Sequence, residues 1–270
     1  MSSIFKPSEK PRLWLVGGTS ESILLFNQLQ EQGVPVVVTV TTDAAVKNYP
    51  VQGLSIVDVK RFERDENLQG WIDEHHISGI LDASHPFAIE ISQRAMRVAQ
   101  TMSRPYLRFE RSLVMAYESD QVTELEQGLG TLSRDRIAGN RVLLMVGSQA
   151  LPEFAQWHDC AELFARILPS EAAVKIAAKS GFRREHLIAF QPPLSFEMEC
   201  ALWRHWDITL AITKASGQAG GEDIKRQVAE ALKVPLLVLK RPQVTYQWKT
   251  ESVGTAIAFA QRVTSLNYRS

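Results

Sequence analysis

The sequence predicts an α/β protein of two Rossmann-like lobes, each a parallel sheet flanked by helices, with a cleft between the lobes. Three observations predict it. Short apolar runs alternate with stretches of helical periodicity along nearly the whole chain, which is the pattern of βα units. The first apolar run, Arg12 to Val16, stops at Gly17-Gly18 and re-enters as a helix, as phosphate-binding βα turns do. Residues 111–140 interrupt the rhythm with charged and polar clusters and with Gly128, Gly130 and Gly139, which reads as a passage between lobes. The expected division is an N-terminal dinucleotide-binding lobe, 1–112, and a C-terminal substrate-binding lobe, 113–270, the latter including the linker at about 113–140.

Each element follows from its local pattern. After the first strand, Ile23, Leu24, Phe26 and Leu29 fall at helical spacing within Ser22 to Gln32, and Gly33 suits a stop. Val34 to Val40 is rich in β-branched residues and reads as a buried strand, with Pro35 at its start. Leu54 to Val59 is a third strand, and Asn67 to His76 a helix with Leu68, Trp71, Ile72 and His75 on one side. Gly79 to Ala83 is a fourth strand that runs into Ser84-His85-Pro86-Phe87. A long helix over Ala88 to Met102 and a strand at Tyr106 to Phe109 complete the lobe. Beyond the linker the spacing predicts strands at Arg141–Val146, Ala161–Ile167, Leu187–Phe190, Ile208–Thr213 and Pro235–Leu239. Helices are expected from Leu151 and from Glu171, over Phe196–His205 and Glu222–Leu232, and at the end over Thr250–Val263.

Composition narrows the function. The chain has 270 residues, 45% hydrophobic and 22% charged, as ordinary globular proteins do. Thirty basic residues balance thirty acidic ones, so no global field draws in nucleic acid or a membrane surface. Cys160 and Cys200 form no paired or metal-ligand pattern and read as reduced cysteines. No apolar run reaches membrane-span length, and residues 1–11 lack a signal-peptide core, so a cytoplasmic protein is expected. No heptad seam is present; oligomeric state stays open, and a monomer is compatible with the sequence.

Gly17 and Gly18 allow a tight turn and close approach of a pyrophosphate, while Thr19, Ser20 and Glu21 open the helix whose N-terminus would meet it. Ser22 stands where the third glycine of GxGxxG would be, and a βα turn without a ligand explains the same residues. A carboxylate at the end of the second strand would select NADH by accepting the ribose 2′-hydroxyl. Here that end reads Thr41-Thr42, with Asp43 late and Lys47 and Arg61 nearby, which leans toward NADPH. Solvated surface charge explains the lysine and arginine equally well.

Ser84, His85, Pro86 and Phe87 lie at the carboxyl edge of the same sheet, where ligands sit in open parallel sheets. Pro86 also suits an ordinary helix start. In the second lobe, Val146-Gly-Ser-Gln149 and the run Thr213-Lys-Ala-Ser-Gly-Gln-Ala-Gly-Gly221 each follow a strand and precede a helix. The second of these offers amides, hydroxyls and the Lys214 ammonium to an anion, or it is a surface loop. Its lysine precedes the glycines, so it is not a P-loop. No Tyr-x-x-x-Lys pair, Gly-x-Ser-x-Gly elbow or His-Glu-x-x-His motif occurs, and the six histidines have no ligand spacing, so no metal site is expected.

Taken together these segments are similar to the precorrin-6A reductase family of cobalamin biosynthesis. The motifs that carry the resemblance are Leu15-Val-Gly-Gly-Thr-Ser-Glu21, Leu81-Asp-Ala-Ser-His-Pro-Phe-Ala88, Pro105-Tyr-Leu-Arg-Phe-Glu-Arg111 and Arg166-Ile-Leu-Pro169. Thr213-Lys-Ala-Ser-Gly217 with Gly221 and Lys225, and Lys240-Arg-Pro242, complete them. The resemblance implies an NAD(P)H-dependent oxidoreductase acting on a CH–CH group, which converts (cobalt-)precorrin-6A to (cobalt-)precorrin-6B. It implies a dinucleotide on the first lobe and the macrocycle in the cleft. Gly17, Gly18, Thr19, Ser20, Glu21, Thr41, Thr42, Lys47 and Ser84 then fall to the cofactor, NADPH with NADH as the alternative. His85, Pro86, Phe87, Lys214, Ser216 and Gly217 fall to the tetrapyrrole, with His85 as proton donor or positioning group. The family often has Gly-Pro-Phe where this chain has Gln191-Pro-Pro-Leu194, so no role is carried onto that loop. Two alternatives remain: a non-catalytic NADP(H)-binding regulator, and a SAM-dependent methyltransferase, which also ends its first strand in glycines.

Overall fold

The computed structural model describes residues 10–110, 119–126, 128–191 and 194–265. The chain forms two compact units: Met1–Arg111 together with Gln243–Ser270, and Ser112–Pro242.

The first unit begins with β1 (Arg12–Val16), α1 (Ser20–Glu31), β2 (Val36–Val40), the short α2 (Asp43–Val46), β3 (Ile56–Val59) and α3 (Asp65–Glu74). It continues with β4 (Ile77–Asp82), α4 (Ile89–Thr101) and β5 (Tyr106–Phe109). Because β1, β2 and β4 are covered on both faces, their sequences are continuous apolar runs rather than alternating ones. Leu13 and Leu15 of β1 face one core with Leu25, Phe26 and Leu29 of α1. Trp14 and Val16 face the other, with Leu68, Trp71 and Ile72 of α3 and Ala95, Val98 and Ala99 of α4. A hydrogen bond from Trp14 Nε1 to Thr39 Oγ1, 2.8 Å, satisfies the buried indole.

The second unit contains β6 (Val122–Leu125), α5 (Arg134–Ile137), β7 (Arg141–Met145), α6 (Leu151–Phe154), β8 (Glu162–Ile167), α7 (Glu171–Lys179) and β9 (Leu187–Ala189). It ends with α8 (Phe196–His205), β10 (Leu210–Lys214), α9 (Glu222–Leu232) and β11 (Leu236–Leu239). Serines cap α7 and α8: Ser170 accepts from the Ala173 amide and Ser195 from that of Met198.

Among the described residues all paired strands are parallel. The first sheet has the order β3-β2-β1-β4-β5 followed by β12 (Lys249–Thr250), and the second β9-β8-β7-β10-β11-β6. Both are six-stranded and doubly wound, with the strand order reversing between β1 and β4 and between β7 and β10.

Two expectations from the sequence are corrected. The sequence places residues 243–270 in the second lobe, yet β12 pairs with β5 and α10 (Val253–Thr264) packs on the first sheet. An ideal Cβ on Gly79 would come within 2.6 Å of Val263 Cγ2, so Gly79 is what lets α10 approach β4. The stretch 113–140 is not only a linker: its β6 pairs with β11 (Val122 opposite Leu236) as an edge strand of the second sheet. Residues 113–118 and 127 of that stretch, and Pro192 and Pro193 of the Gln191–Leu194 loop, lie outside the described residues. Among the described residues no helix is long and apolar enough to cross a membrane.

Candidate active site

The glycine turn leaves β1 at the reversal of strand order. Gly18 has φ +103°, a conformation that costs glycine little, and nothing lies within 4 Å of where its Cβ would stand. Gly17 serves a different purpose. A Cβ there would come within 2.8 Å of both Tyr49 Oη and Val38 Cγ1, so its missing side chain makes room for the protein itself. Thr19 caps α1: its Oγ1 accepts from the Ser22 amide at 3.1 Å and donates to the Ala83 carbonyl at 2.8 Å. That second bond ties the turn after β1 to the turn after β4. Ser20, exposed, donates to Glu21 Oε2 at 3.0 Å.

The far end of this edge is open. Thr41 and Thr42 are exposed past the end of β2, and Thr42 caps α2 by accepting from the Ala45 amide at 3.3 Å. Lys47 is exposed at the end of α2. Arg61 is exposed beyond β3, whose neighbour Lys60 donates its amide to the Val40 carbonyl at 2.9 Å.

The turn after β4 rests on a buried ion pair that the sequence reading missed. Asp82 and Arg108 stand opposite one another on β4 and β5, and both are almost wholly buried. Arg108 Nη1 donates to Asp82 Oδ1 at 2.9 Å and to Ser84 Oγ at 3.0 Å, and Nη2 donates to the Ser84 carbonyl at 3.0 Å. Tyr106 Oη donates to Asp82 Oδ2 at 2.6 Å, and the Ser84 amide donates to Oδ1 at 2.9 Å. Burial opposes ionisation of Asp82, but the Arg108 charge and the donors around it hold the carboxyl below the usual range. Burial, together with the Asp82 charge, pushes the Tyr106 phenol up. The Ser84 hydroxyl is thus buried, in contact with Arg108 and with Ser92 Oγ at 3.3 Å.

His85 is exposed beyond this network, and its Nδ1 accepts the Phe87 amide at 3.2 Å. That bond places the imidazole proton on Nε2. Pro86 and Phe87 are half-buried beside it, with the His85 and Phe87 rings 5.8 Å apart.

The second unit has an equivalent edge. Gly147, with φ +80°, follows β7, and Lys214 ends β10. Burial pushes the half-buried Lys214 ammonium down, and Glu153 opposes that shift. The Ser216 amide donates to the Lys214 carbonyl at 2.7 Å, and a Cβ on Gly220 would collide with Ser216 Oγ. Gly217 is buried, and its amide donates to Glu222 Oε2 at 2.9 Å. Beneath the loop, Lys225 donates to the Gly220 carbonyl at 2.7 Å and to Thr213 Oγ1 at 3.3 Å. Burial and the nearby Arg166 push its ammonium down to about 7, against the pull of Glu199, Glu222 and Asp223. Arg166 is itself paired with Glu199. Among the described residues no group of three His, Cys, Asp or Glu side chains could hold a metal ion.

The family model for precorrin-6x reductase CbiJ/CobK matches residues 12–261. The chain belongs to the precorrin-6x reductase family. A cobalt-precorrin-6A reductase of Synechocystis is 38% identical over 93% of this chain and 96% of its own length. One from Priestia megaterium is 30% identical over 86% of this chain and 91% of its own. The solved structure of a CobK precorrin-6A reductase superposes with a TM-score of 0.73 at 22% identity, covering 94% of this chain and 97% of that one, and so shares the fold. As a member of this reductase family the protein is an oxidoreductase acting on a CH–CH group, and the family implies a nicotinamide-type reductant. Neither the regulator nor the methyltransferase alternative is favoured.

Within this reductase, Gly17, Gly18, Thr19, Ser84 and His85 lie at the reversal point of the first sheet, and Lys214, Ser216 and Gly217 at that of the second. Thr41, Thr42 and Lys47 lie at the end of β2, away from that reversal. Tyr49, Asp82, Arg108 and Lys225 were given no role from sequence. Three of them sit inside quoted motifs, which was the available signal; Tyr49 sits in none.

Proposed function

We propose that the protein reduces a ring double bond of (cobalt-)precorrin-6A to give (cobalt-)precorrin-6B, with NADPH as the hydride donor. One observation carries this reading. The glycine turn and the Ser84–His85 turn leave adjacent strands β1 and β4 at the strand-order reversal and are joined by the Thr19–Ala83 hydrogen bond. The turn fits a pyrophosphate, because Gly18 leaves open space for close approach and α1 presents a capped N-terminus. NADPH is favoured over NADH because Thr41 and Thr42 follow the end of β2 with Lys47 and Arg61 exposed nearby in sequence, and no carboxylate ends the strand.

NADPH supplies a hydride when bound; the chain's residues bind and orient. Gly18 admits the pyrophosphate by leaving open space, the backbone amides of Ser20 and Glu21 at the N-terminus of α1, capped by Thr19, receive it, and Ser84, clamped by Arg108, holds the backbone that carries His85. From Nε2, His85 donates a hydrogen bond to the macrocycle, flanked by Pro86 and Phe87. Lys214, Ser216 and Gly217 form a loop suited to the macrocycle's carboxylates. The reduction adds one hydride and one proton; the motifs contain no nucleophile–base pair, so no covalent step is invoked, and the proton is drawn from solvent, because His85 would lose the Phe87 amide bond to its Nδ1 on carrying it. Acceleration then rests on positioning.

The test mixes purified protein and macrocycle with NADPH or NADH and follows the nicotinamide absorbance. Substrate-dependent oxidation with a lower KM for NADPH is expected. Binding of the dinucleotide without oxidation would overturn the reductase reading, and equal KM values would overturn the NADPH preference.

A further inference from the structure

We infer that Tyr49 is a positioning residue for the dinucleotide, locking the glycine turn and tying it to the segment that carries Thr41, Thr42 and Lys47. The inference rests on the reading that the dinucleotide binds at this turn. Tyr49 follows α2 in sequence, yet its phenol lies beneath the turn after β1 and is almost wholly buried. The Gly18 amide donates to Tyr49 Oη at 2.8 Å, and Tyr49 Oη lies 2.6 Å from Ser22 Oγ. Ser22 Oγ donates to the Thr19 carbonyl at 2.7 Å, which leaves it to accept the phenol proton.

A directed chain results: Gly18 amide to Tyr49, Tyr49 to Ser22, Ser22 to the Thr19 carbonyl. Burial raises the phenol's pKa and keeps its proton in place, although the Gly18 and Ser22 bonds pull the other way. The chain also accounts for two features of the turn. Gly17 must lack a Cβ because Tyr49 Oη and Val38 Cγ1 occupy its place, and the Ser22 hydroxyl, where a third glycine is usual, meets the phenol as well as accepting the Thr19 amide of the capping box. The ring packs edge-on against Phe26 of α1, centroids 5.4 Å apart, so the phenol is held from both ends. Since Tyr49 belongs to the same segment as Lys47, one side chain sets the distance from the pyrophosphate turn to the end of β2.

The test is Tyr49→Phe in the full-length protein, which keeps the ring and removes the hydroxyl. Kd and KM for NADPH should rise about tenfold, as for one lost hydrogen bond at a binding turn. The macrocycle KM, and kcat at saturating NADPH, should stay within about twofold of wild type. A role confined to folding would lower thermal stability without this split. Ser22→Ala, which removes the phenol's partner together with the capping-box acceptor of the Thr19 amide, carries the same expectation if Y49F does not fold.

Ser20→Glu serves as the control for the site itself. An acidic residue there suits the helix N-terminus but repels a phosphate. Weak NADPH binding by S20E with normal binding by folded Y49F overturns the inference and leaves the site standing. Normal binding by S20E overturns the site, and the inference with it, whatever Y49F does.

Discussion

An imidazole whose Nδ1 accepts a backbone amide, as His85 does from Phe87, loses that bond when it is protonated, because both nitrogens then donate. This favours a hydrogen-bonding role for His85 over proton donation. His85→Ala is expected to raise the macrocycle KM about tenfold with a smaller change in kcat and no change in NADPH affinity. A collapse of kcat at unchanged affinities, measured under saturating conditions, would make His85 the proton donor instead. Lys214→Ala should act in the same direction on the macrocycle KM alone, since it removes a cation from a loop suited to carboxylates; an unchanged KM would remove that role. Lys225 bears on stability. Its folded-state pKa is depressed to about 7, so above that pH the unfolded chain binds a proton the native chain has released. Stability should therefore rise with pH from about 7 toward the ordinary lysine range; below about 7 Lys225 adds no slope, because both states hold the proton and the cost of burying its charge is present in full. Urea unfolding at several pH values should reveal this slope in wild type and its reduction in Lys225→Met.

The strand pair β4–β5 shows how elements place a site that no single segment encodes. Asp82 and Arg108 are opposite in register, and Tyr106, two residues before Arg108, points to the same face. Each motif was visible as a string, but their pairing was not, because the register of a parallel pair depends on the intervening helix and the core it covers. Removing one partner leaves a buried charge uncompensated. Asp82→Asn should therefore cost about 3–5 kcal/mol in denaturant unfolding, well above a surface change. A cost below about 1 kcal/mol would mean that the pair is not buried as described. By contrast the turn at Thr19 is legible in the sequence, since an N-cap and its partner three residues on need no tertiary information.

For the whole molecule, the chain leaves the first unit near Arg111 and returns at Gln243. Ala256, Phe259, Ala260 and Val263 of α10 share a core with Leu13, Leu15 and Leu81, so the last helix is part of the first unit's interior. Deleting residues 243–270 should remove the cooperative unfolding of the first unit, and dinucleotide binding with it, as seen by calorimetry and by titration. Retention of tight NADPH binding would argue that α10 is dispensable. Local chemistry was sufficient to reveal the alternation of strands and helices, the parallel-sheet class and the glycine turn, because apolar periodicity, caps and turn residues act over a few positions. Long-range packing alone assigned β12 and α10 to the first sheet, turned part of the supposed linker into an edge strand, and put Tyr49 under Gly18 and Arg108 beside Asp82. The difference is physical: a two-residue strand or a single phenol has no periodicity of its own, and its position is set by the surfaces it buries.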